Sequence, residues 1–229
     1  MKRSFLFILV LLVGCSEESC ITGNNEYVEK NIHPGNFQNV SNAHSGSVKL
    51  MNGEPKIHVS AEENIIDLLK YEITGNTLKI GSKGKCFNTH GIHFEISSES
   101  FNKLTNDGSA DWTSDSIEID PEIESNGSGN IELTGNSNNQ KIISNGSGDV
   151  NLTGMPTKDA LIENNGSGKV SVIAYETAEV TVNGSGDIVV DSINGELTIT
   201  INGSGNVLYS GDPKKNIVTP SGSGQIIEK

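Results

Sequence analysis

Apolar and polar residues alternate along most of the second half of the 229-residue chain. Segments such as Ile131-Glu132-Leu133 and Val150-Asn151-Leu152 put every second side chain on one apolar face. This period of two is typical of a strand that buries one face. Isoleucine and valine dominate these positions, and β-branched side chains suit a pleated surface. The pattern predicts a succession of short strands with no long helix between them.

A four-residue motif separates the alternating segments at a nearly constant interval. NGSG occurs five times and SGSG once, and successive copies start 19, 20, 18, 19 and 19 residues apart. A degenerate copy, Asp107-Gly108-Ser109-Ala110, precedes the first of them. Repetition with this period predicts a solenoid. The first glycines of the six copies are Gly127, Gly146, Gly166, Gly184, Gly203 and Gly222.

The length of the repeat indicates which kind of solenoid to expect. About 19 residues are too few for a βαβ unit, so each copy must pair in parallel with the copy one coil earlier, as in a single-stranded β-helix. Each coil is then a strand, an NGSG corner, a second strand and a longer variable connection, such as Gly135–Gln140 or Gly154–Asp159. Six or seven coils, about 4.8 Å apart, form a rod of roughly 30 Å. The general crossover rule predicts a right-handed helix.

The repeated corner has two expected roles. Glycine permits positive φ, and asparagine itself tolerates the left-handed conformation. A column of identical amides also allows each side chain to hydrogen bond to the next one along the rod. We therefore expect a structural ladder of the corner asparagines, which are Asn126, Asn145, Asn165, Asn183 and Asn202.

The N-terminus has the features of an export signal. Lys2 and Arg3 precede an apolar run that is too short to remain as a membrane span. The run ends Leu-Val-Gly-Cys15, which resembles the lipobox of bacterial lipoproteins. The resemblance implies a signal peptide at residues 1–14 and a lipid on Cys15, with the mature chain anchored in the cell envelope, at the outer membrane or cell surface. An ordinary signal peptide with a chance cysteine is the alternative.

Residues 15–35 are polar and acidic, and we expect them to tether the folded part to the membrane. Ser16-Glu17-Glu18 resembles an acidic surface-export signal of Bacteroidetes-type lipoproteins, although a plain acidic linker fits equally well. Cys20 and Cys86 are the two remaining cysteines, and an exported chain allows a disulfide between them. The alternative is that Cys20 stays unpaired in an unstructured tether.

Residues 36–103 are less regular than the coils at residues 104–229. Strands are predicted around residues 48–50, 57–59, 77–80 and 93–96, and Ala61–Tyr71 has the apolar spacing of one short helix or helical turn. Acidic residues near the start of that segment fit a helix N-terminus. The pattern leaves two interpretations open, namely irregular early coils or a small β cap.

The chain from Asn36 onward resembles the DUF2807 family, the head GIN domain of auto-transporter adhesins. EENIIDLLKYEITGNTLKI and the GSG-x-Ile/Val repeats carry the resemblance. It implies a right-handed parallel β-helix in an exported bacterial protein with a role in adhesion, and it supplies no catalytic residues. The first coil departs from the pattern because Ala110 replaces the second glycine and Trp112 stands where later coils have isoleucine or valine.

Charge and residue types limit the kinds of ligand that the protein is expected to bind. The chain has 16 basic and 29 acidic residues and a formal net charge of −13, which disfavours binding to nucleic acid. Asp111, Asp149 and Asp187 share one position after the corner, but Lys169 interrupts the column, so a solvated polar edge is expected rather than a calcium ladder. No metal and no cofactor are predicted. His90 and His93 lie near Cys86, but this spacing on a strand puts them on opposite faces.

A glycan-active lyase or hydrolase would need clustered carboxylates, or calcium with a basic residue, on one face. The outward column Glu132, Asn151, Ser171 and Val189 offers neither, and Arg3 is the sole arginine of the chain. The sequence therefore predicts a non-catalytic adhesion or binding module, held to the membrane through Cys15, whose partner is a glycan or a surface protein. The alternatives are an envelope protein that self-associates through open solenoid ends and, less favoured, a glycan-cleaving enzyme.

Overall fold

The computed structural model describes residues 20–83, 86–89, 91–217 and 221–229. The proposed signal peptide and Cys15 lie outside this part of the chain. The described chain is all-β, with 58% strand and 2% helix, and forms a β-solenoid of about 6 turns whose repeats are about 19 residues apart. The predicted fold class is therefore confirmed. Among the described residues, no helix is long and apolar enough to cross a membrane.

The N-terminal part contains short strands and one helical turn. In chain order the elements are β1 (Ile21–Thr22), β2 (Tyr27–Ile32), β3 (Asn39–Asn42), β4 (Ser47–Asn52), β5 (Lys56–Glu62), α1 (Glu63–Ile66), β6 (Leu69–Thr74), β7 (Thr77–Ser82), β8 (Phe87–Asn88) and β9 (His93–Ser98).

The regular coils follow. Their strands are β10 (Lys103–Asn106), β11 (Asp111–Ser114), β12 (Ile117–Glu118), β13 (Glu122–Ser125), β14 (Ile131–Asn136), β15 (Asn139–Ser144), β16 (Val150–Asn164), β17 (Val170–Val182), β18 (Ile188–Asp191), β19 (Glu196–Ile201), β20 (Val207–Tyr209), β21 (Lys214–Ile217) and β22 (Ile226–Glu228). The variable connections are shorter than predicted, because β14 extends into the first and β16 runs without a break through the second.

All strands except β1, β8 and β12 form two long sheets that face each other across the core; β1 pairs with β8, and β12 pairs with the end of β14. Sheet 1 has the order β6, β7, β3, β10, β13, β15, β16, β17, β19, β21. Sheet 2 has the order β2, β5, β9, β4, β11, β14, β16, β17, β18, β20, β22. The long strands β16 and β17 belong to both sheets, since their N-terminal halves pair in sheet 2 and their C-terminal halves in sheet 1.

The core consists of stacked apolar columns. One column of sheet 1 is Leu104, Ile123, Ile142, Ile162, Val180 and Ile199. In sheet 2, Trp112 pairs with Ile131 and with Val48, so it occupies the predicted isoleucine/valine position. These side chains are almost completely buried. Residues one repeat apart stack on each other because the register between coils is in phase with the repeat.

The N-terminal part combines both structures that the sequence left open. The coil of β3 and β4 lies between the coil of β7 and β9 and the coil of β10 and β11, so these early coils are not in sequence order. Strands β2, β5 and β6 pair antiparallel and close this end of the solenoid. We call these strands and α1 the cap.

The short helix or helical turn predicted over Ala61–Tyr71 is confirmed only as a single turn. Only Glu63–Ile66 is helical, and the chain from Leu69 forms β6. The apolar residues at the expected spacing, Ile65, Ile66 and Leu69, are all buried. They reach the core from a helical turn and then a strand because the exposed edge of β7 offers β6 a full ladder of antiparallel hydrogen bonds.

The tether is also shorter than residues 15–35. Strand β2 pairs with β5 along its whole length, and Val28 and Ile32 pack against the core. Cys20 and Cys86 form a disulfide, with Cα atoms 4.7 Å apart. The folded body therefore includes Cys20 and β2 and does not begin at Asn36.

The opposite end of the solenoid has a polar closure that the sequence analysis missed. In the last coil, Lys215 is in register with the core residue Leu197, and Glu228 with Tyr209. The Nζ atom of Lys215 lies 3.1 Å from Oε2 of Glu228 and donates a hydrogen bond to the Tyr209 hydroxyl at 2.6 Å. An ion pair thus covers part of the last apolar layer, as is common for terminal repeats.

Candidate binding face and the ladders that shape it

The corner glycines allow very close stacking of the backbone. A Cβ atom built on Gly146 would lie 1.9 Å from the carbonyl oxygen of Gly127, and one on Gly203 would lie 2.0 Å from that of Gly184. The expected positive φ is wrong, because no corner glycine or corner asparagine has it. Glycine is required here because any side chain would collide with the coil one step earlier.

The corner asparagines form a continuous ladder on the surface. The Nδ2 atom of Asn145 donates to Oδ1 of Asn126 at 2.8 Å, and the same bond recurs from Asn165, Asn183 and Asn202 at 2.7–2.8 Å. Asn126 continues the ladder to Asp107 at 2.7 Å, and the Ser221 hydroxyl caps its other end by donating to Asn202 at 3.1 Å. Each amide thereby joins neighbouring coils.

A second ladder occupies the column that we considered for calcium. The side-chain oxygen of each Asp or Asn accepts the backbone N–H of the equivalent residue one coil later, as in Asn130 to Asp111 at 2.8 Å and Lys169 to Asp149 at 2.7 Å. Lys169 has no side-chain oxygen to continue the ladder, which resumes between Asp187 and Asn206 at 2.7 Å. These carboxylates therefore serve as structural acceptors.

A third polar column lies inside the corner and was missed at the sequence level. Asn106 and Asn164 are completely buried. The Nδ2 atom of Asn106 donates to the Ala110 carbonyl at 2.9 Å, and that of Asn164 to the Gly168 carbonyl at 2.8 Å. The sequence does contain an indication of this column. In several repeats the residue directly before the corner is polar, although the alternation predicts an apolar residue at that position.

The outer face of sheet 1 carries a concave surface. A shallow groove of about 660 Å³ crosses β13, β15, β16, β17 and β19. Its outward side chains include Glu122, Lys141, Leu161 and Glu179, which share one column. Asp120, Asp159 and Glu196 line its side. We call this surface the groove.

Leu161 is the residue of the groove that the sequence analysis overlooked. It is 44% exposed and lies in a column between Lys141 and Glu179. The signal was a leucine at an outward position of the alternation, directly before the core residue Ile162. An exposed leucine surrounded by charges provides an apolar contact point in a polar groove.

One rim of the groove is an ion-pair network. The Nζ atom of Lys103 lies 2.9 Å from Glu122 and 3.0 Å from Glu124, and Lys141 lies 3.3 Å from Glu122. Hydrogen bonds from Lys103 lower the pKa of the Glu122 and Glu124 carboxyls. The same bonds, first to Glu122 and then to Glu124, raise the pKa of Lys103. All three groups stay charged at neutral pH.

Asp120 shapes the neighbouring wall. Desolvation raises the pKa of its carboxyl, but hydrogen bonds from the backbone N–H groups of Asn138 and Asn139, at 2.6 and 3.1 Å, outweigh that effect and hold the pKa below its usual value. The carboxylate is therefore used mainly to fix the turn before β15.

The other candidate residues of the sequence lie away from the groove. The column of Glu132, Asn151, Ser171 and Val189 runs along sheet 2. His93 contacts the Ser47 hydroxyl at 2.8 Å through Nδ1, Cys86 is in the disulfide, and His90 lies outside the described residues. Within the described ranges, no three His, Cys, Asp or Glu side chains cluster as metal ligands.

Comparison with solved structures finds the same fold in other bacterial proteins. A "putative adhesin" from Bacteroides fragilis has a TM-score of 0.83 at 22% identity, over 91% of this chain and 100% of that one. A "putative adhesin" from Parabacteroides merdae has 0.73 at 19% identity, over 91% and 98%. A "putative lipid binding protein" from Parabacteroides distasonis has 0.67 at 22% identity, over 92% and 100%. At these identities the likeness concerns the fold.

Among curated proteins, no relative matches the chain. The model of the DUF2807 family, described as "Putative auto-transporter adhesin, head GIN domain", matches residues 36–213. The match spans the corner asparagines, the groove and the cap except for β2. The chain therefore belongs to the DUF2807 family of head GIN domains.

Proposed function

We propose that the protein is a non-catalytic adhesion or binding module of the bacterial cell envelope, and that the groove is its binding face. The observation that carries the proposal is the combination of a rigid sheet with an open groove of about 660 Å³ on its outer face. The family description, which names an adhesin head, supports the same role. Side chains on a hydrogen-bonded sheet keep a fixed spacing, which suits recognition of an extended ligand.

The lining of the groove favours a ligand with hydroxyl or amide groups. Carboxylates accept hydrogen bonds, and amides such as Asn139 both donate and accept them. Leu161 adds an apolar contact. A surface glycan and an extended protein segment both present such groups, so the proposed ligand is one of these two classes.

The test is a binding screen with the chain from residue 20 onward, on a glycan array and against extracted envelope proteins, with and without a calcium chelator. Because the Asp and Asn column is engaged in structural hydrogen bonds, we expect binding that survives chelation. Loss of binding on chelation would contradict the role given to that column. Absence of binding to every glycan and protein would contradict the proposed function itself.

We further propose that Cys15 carries a lipid that anchors the module. The lipobox-like Leu-Val-Gly-Cys15 supports this, and Cys20, five positions later, is joined to the folded body by the disulfide. Mass spectrometry of the N-terminal peptide from the membrane fraction should give a chain that begins at an acylated Cys15. A chain cleaved elsewhere, or one without lipid, would contradict the anchor.

Self-association is a second candidate function that one observation favours. Ile217 and Ile227, in the last strands of the two sheets, are 50% and 39% exposed, and the outer edges of β21 and β22 pair with no other described strand. Unpaired strand edges are sites at which other chains can add. Sedimentation at rising concentration should then reveal a dimer that an Ile227→Lys variant abolishes. A monomer at every concentration would exclude this function.

A further inference from the structure

The cap contains a crevice at the very end of the solenoid. A cavity of about 380 Å³ lies between β2 and β6, the outermost strands of the two sheets. It is lined by Ile32, Ile66, Leu69 and Tyr71 and by three charged residues, Lys30, Asp67 and Lys83. Lys30 forms an ion pair with the Asp67 carboxylate at 3.0 Å, and Lys83 donates a hydrogen bond to the Asp67 carbonyl at 2.7 Å. The Tyr71 hydroxyl is buried without a hydrogen-bond partner among the described residues. The lining is therefore mixed, and it offers both apolar surface and charged groups at this end of the solenoid.

The N-terminal segment reaches the body beside this crevice. The disulfide fixes Cys20 to Cys86, and the Thr22 carbonyl accepts a hydrogen bond at 2.9 Å from Asn64 in α1. Ile66, two residues further along α1, lines the crevice. Cys20 is five positions after Cys15, and an extended chain of five steps spans at most about 18 Å. A lipid on Cys15 would therefore hold the cap close to the bilayer.

Charge is divided very unevenly between the cap end and the coils. Residues 20–98 contain 7 lysines and 8 acidic residues, whereas residues 99–229 contain 7 lysines and 19 acidic residues. An anionic bilayer repels the coils strongly and the cap end hardly at all. Within a Debye length of the surface, this difference favours the orientation in which the cap faces the membrane.

From these three observations we propose that the cap is a membrane-docking base. Tyr27 and the crevice between β2 and β6 rest on the bilayer surface, Lys30 and Lys83 meet headgroup phosphates, and the coils with the groove project outward. Tyr27 is 47% exposed on the outermost strand, and aromatic side chains favour the membrane–water interface. The inference rests on the proposed lipid anchor at Cys15.

The test uses the full lipidated chain in vesicles of phosphatidylcholine and phosphatidylglycerol with brominated acyl chains, which quench nearby tryptophan. Two matched variants, Tyr27→Trp on the cap and Tyr175→Trp on the coils, replace tyrosines of equal exposure, 47% each. The native Trp112 is 1% exposed and gives the background. We expect roughly twofold quenching of the added emission at position 27 and none at position 175.

Charge reversal supplies the control for the lysines. Lys30→Glu together with Lys83→Glu should reduce quenching at position 27, whereas Lys158→Glu together with Lys169→Glu on the coils should leave it unchanged. Circular dichroism verifies that each variant is folded. Unquenched emission at position 27 in a chain that co-sediments with the vesicles would overturn the docking base alone. A chain that does not co-sediment at all would overturn the anchor together with the base.

Discussion

At the scale of single residues, the NGSG corner meets two structural requirements, one through its asparagine and one through its glycines. The repetition of asparagine predicts a ladder of amides, and the structure contains that ladder. The repeated glycine suggests a positive φ at the corner, and that prediction is wrong. Glycine is needed because the backbones of neighbouring coils lie too close together for a side chain. The sequence alone does not show this distance, because it depends on how the strands of neighbouring coils pair.

Gly146→Ala tests the close-approach explanation. The new methyl group would overlap the Gly127 carbonyl oxygen, so the coils must separate, and we expect a loss of about 2–3 kcal/mol in the free energy of unfolding. Urea denaturation measures it. Gly81→Ala is the matched control, because a Cβ at Gly81 meets no atom within 4 Å, and its change should stay within about 0.5 kcal/mol. Equal effects of both variants would contradict the explanation.

Asn165→Ala interrupts the asparagine ladder in its middle. It removes the bonds to Asn145 and from Asn183, and we expect a loss of about 1–2 kcal/mol in the free energy of unfolding. Asn216→Ala is the control, since Asn216 is exposed and its side chain forms no hydrogen bond to another described residue. A stability of Asn165→Ala equal to that of the control would mean that the ladder is incidental.

At the scale of elements, the regular coils are predictable and the cap is not. The alternation and the repeat identify nearly every coil strand from β13 onward, since each repeats the same local pattern. Segment Ala61–Tyr71 has helical spacing but splits into α1 and β6, because the free edge of β7 outweighs a weak helical propensity. Likewise β2 lies in a polar, acidic stretch, and only its partner β5 makes it a strand.

The disulfide at the cap gives a prediction for this element. It closes a loop across a sequence separation of 66 residues, and its removal should cost about 2–4 kcal/mol in the free energy of unfolding. Guanidinium denaturation of the oxidised chain and of the Cys20→Ser, Cys86→Ser double variant measures this. Reductant should leave the free energy of unfolding of the double variant unchanged. The prediction is contradicted if reductant also leaves the free energy of unfolding of the oxidised chain unchanged.

The ion pairs between β10 and β13 predict a pH dependence. Because hydrogen bonds from Lys103 lower the folded-state pKa of Glu122 and Glu124, these groups stabilise the fold above their unfolded-state pKa, about 4.3. That stabilisation is lost as the pH falls through the folded-state values. Lys103→Met should therefore be less stable than the wild type at pH 7, and the difference should shrink toward pH 3.

Lys158→Met is the control for that pH series, because Lys158 is exposed and forms no ion pair with the described residues. Its difference from the wild type should stay constant with pH. A pH-independent difference for Lys103→Met would show that the lysine acts through its packing and not through its charge.

At the scale of the whole molecule, the two ends of the solenoid differ from each other, and so do the two sheets. The sequence repeat alone does not predict these differences. One end is closed by antiparallel strands and lies next to the N-terminal segment. The other carries the Lys215–Glu228 pair over the last apolar layer. The groove lies on sheet 1 between them. The sequence predicts the rod itself, but the position of the groove depends on which outward columns become neighbours.

The measurement that tests the binding role most directly compares two substitutions in the binding screen. Leu161→Glu changes the groove on sheet 1, and Leu208→Glu changes a half-buried outward position on sheet 2. Both add one carboxylate to the same scaffold. If the groove is the binding face, Leu161→Glu abolishes binding to the ligand that the screen identifies, and Leu208→Glu retains it. Binding that survives Leu161→Glu but is lost in Leu208→Glu would contradict this assignment.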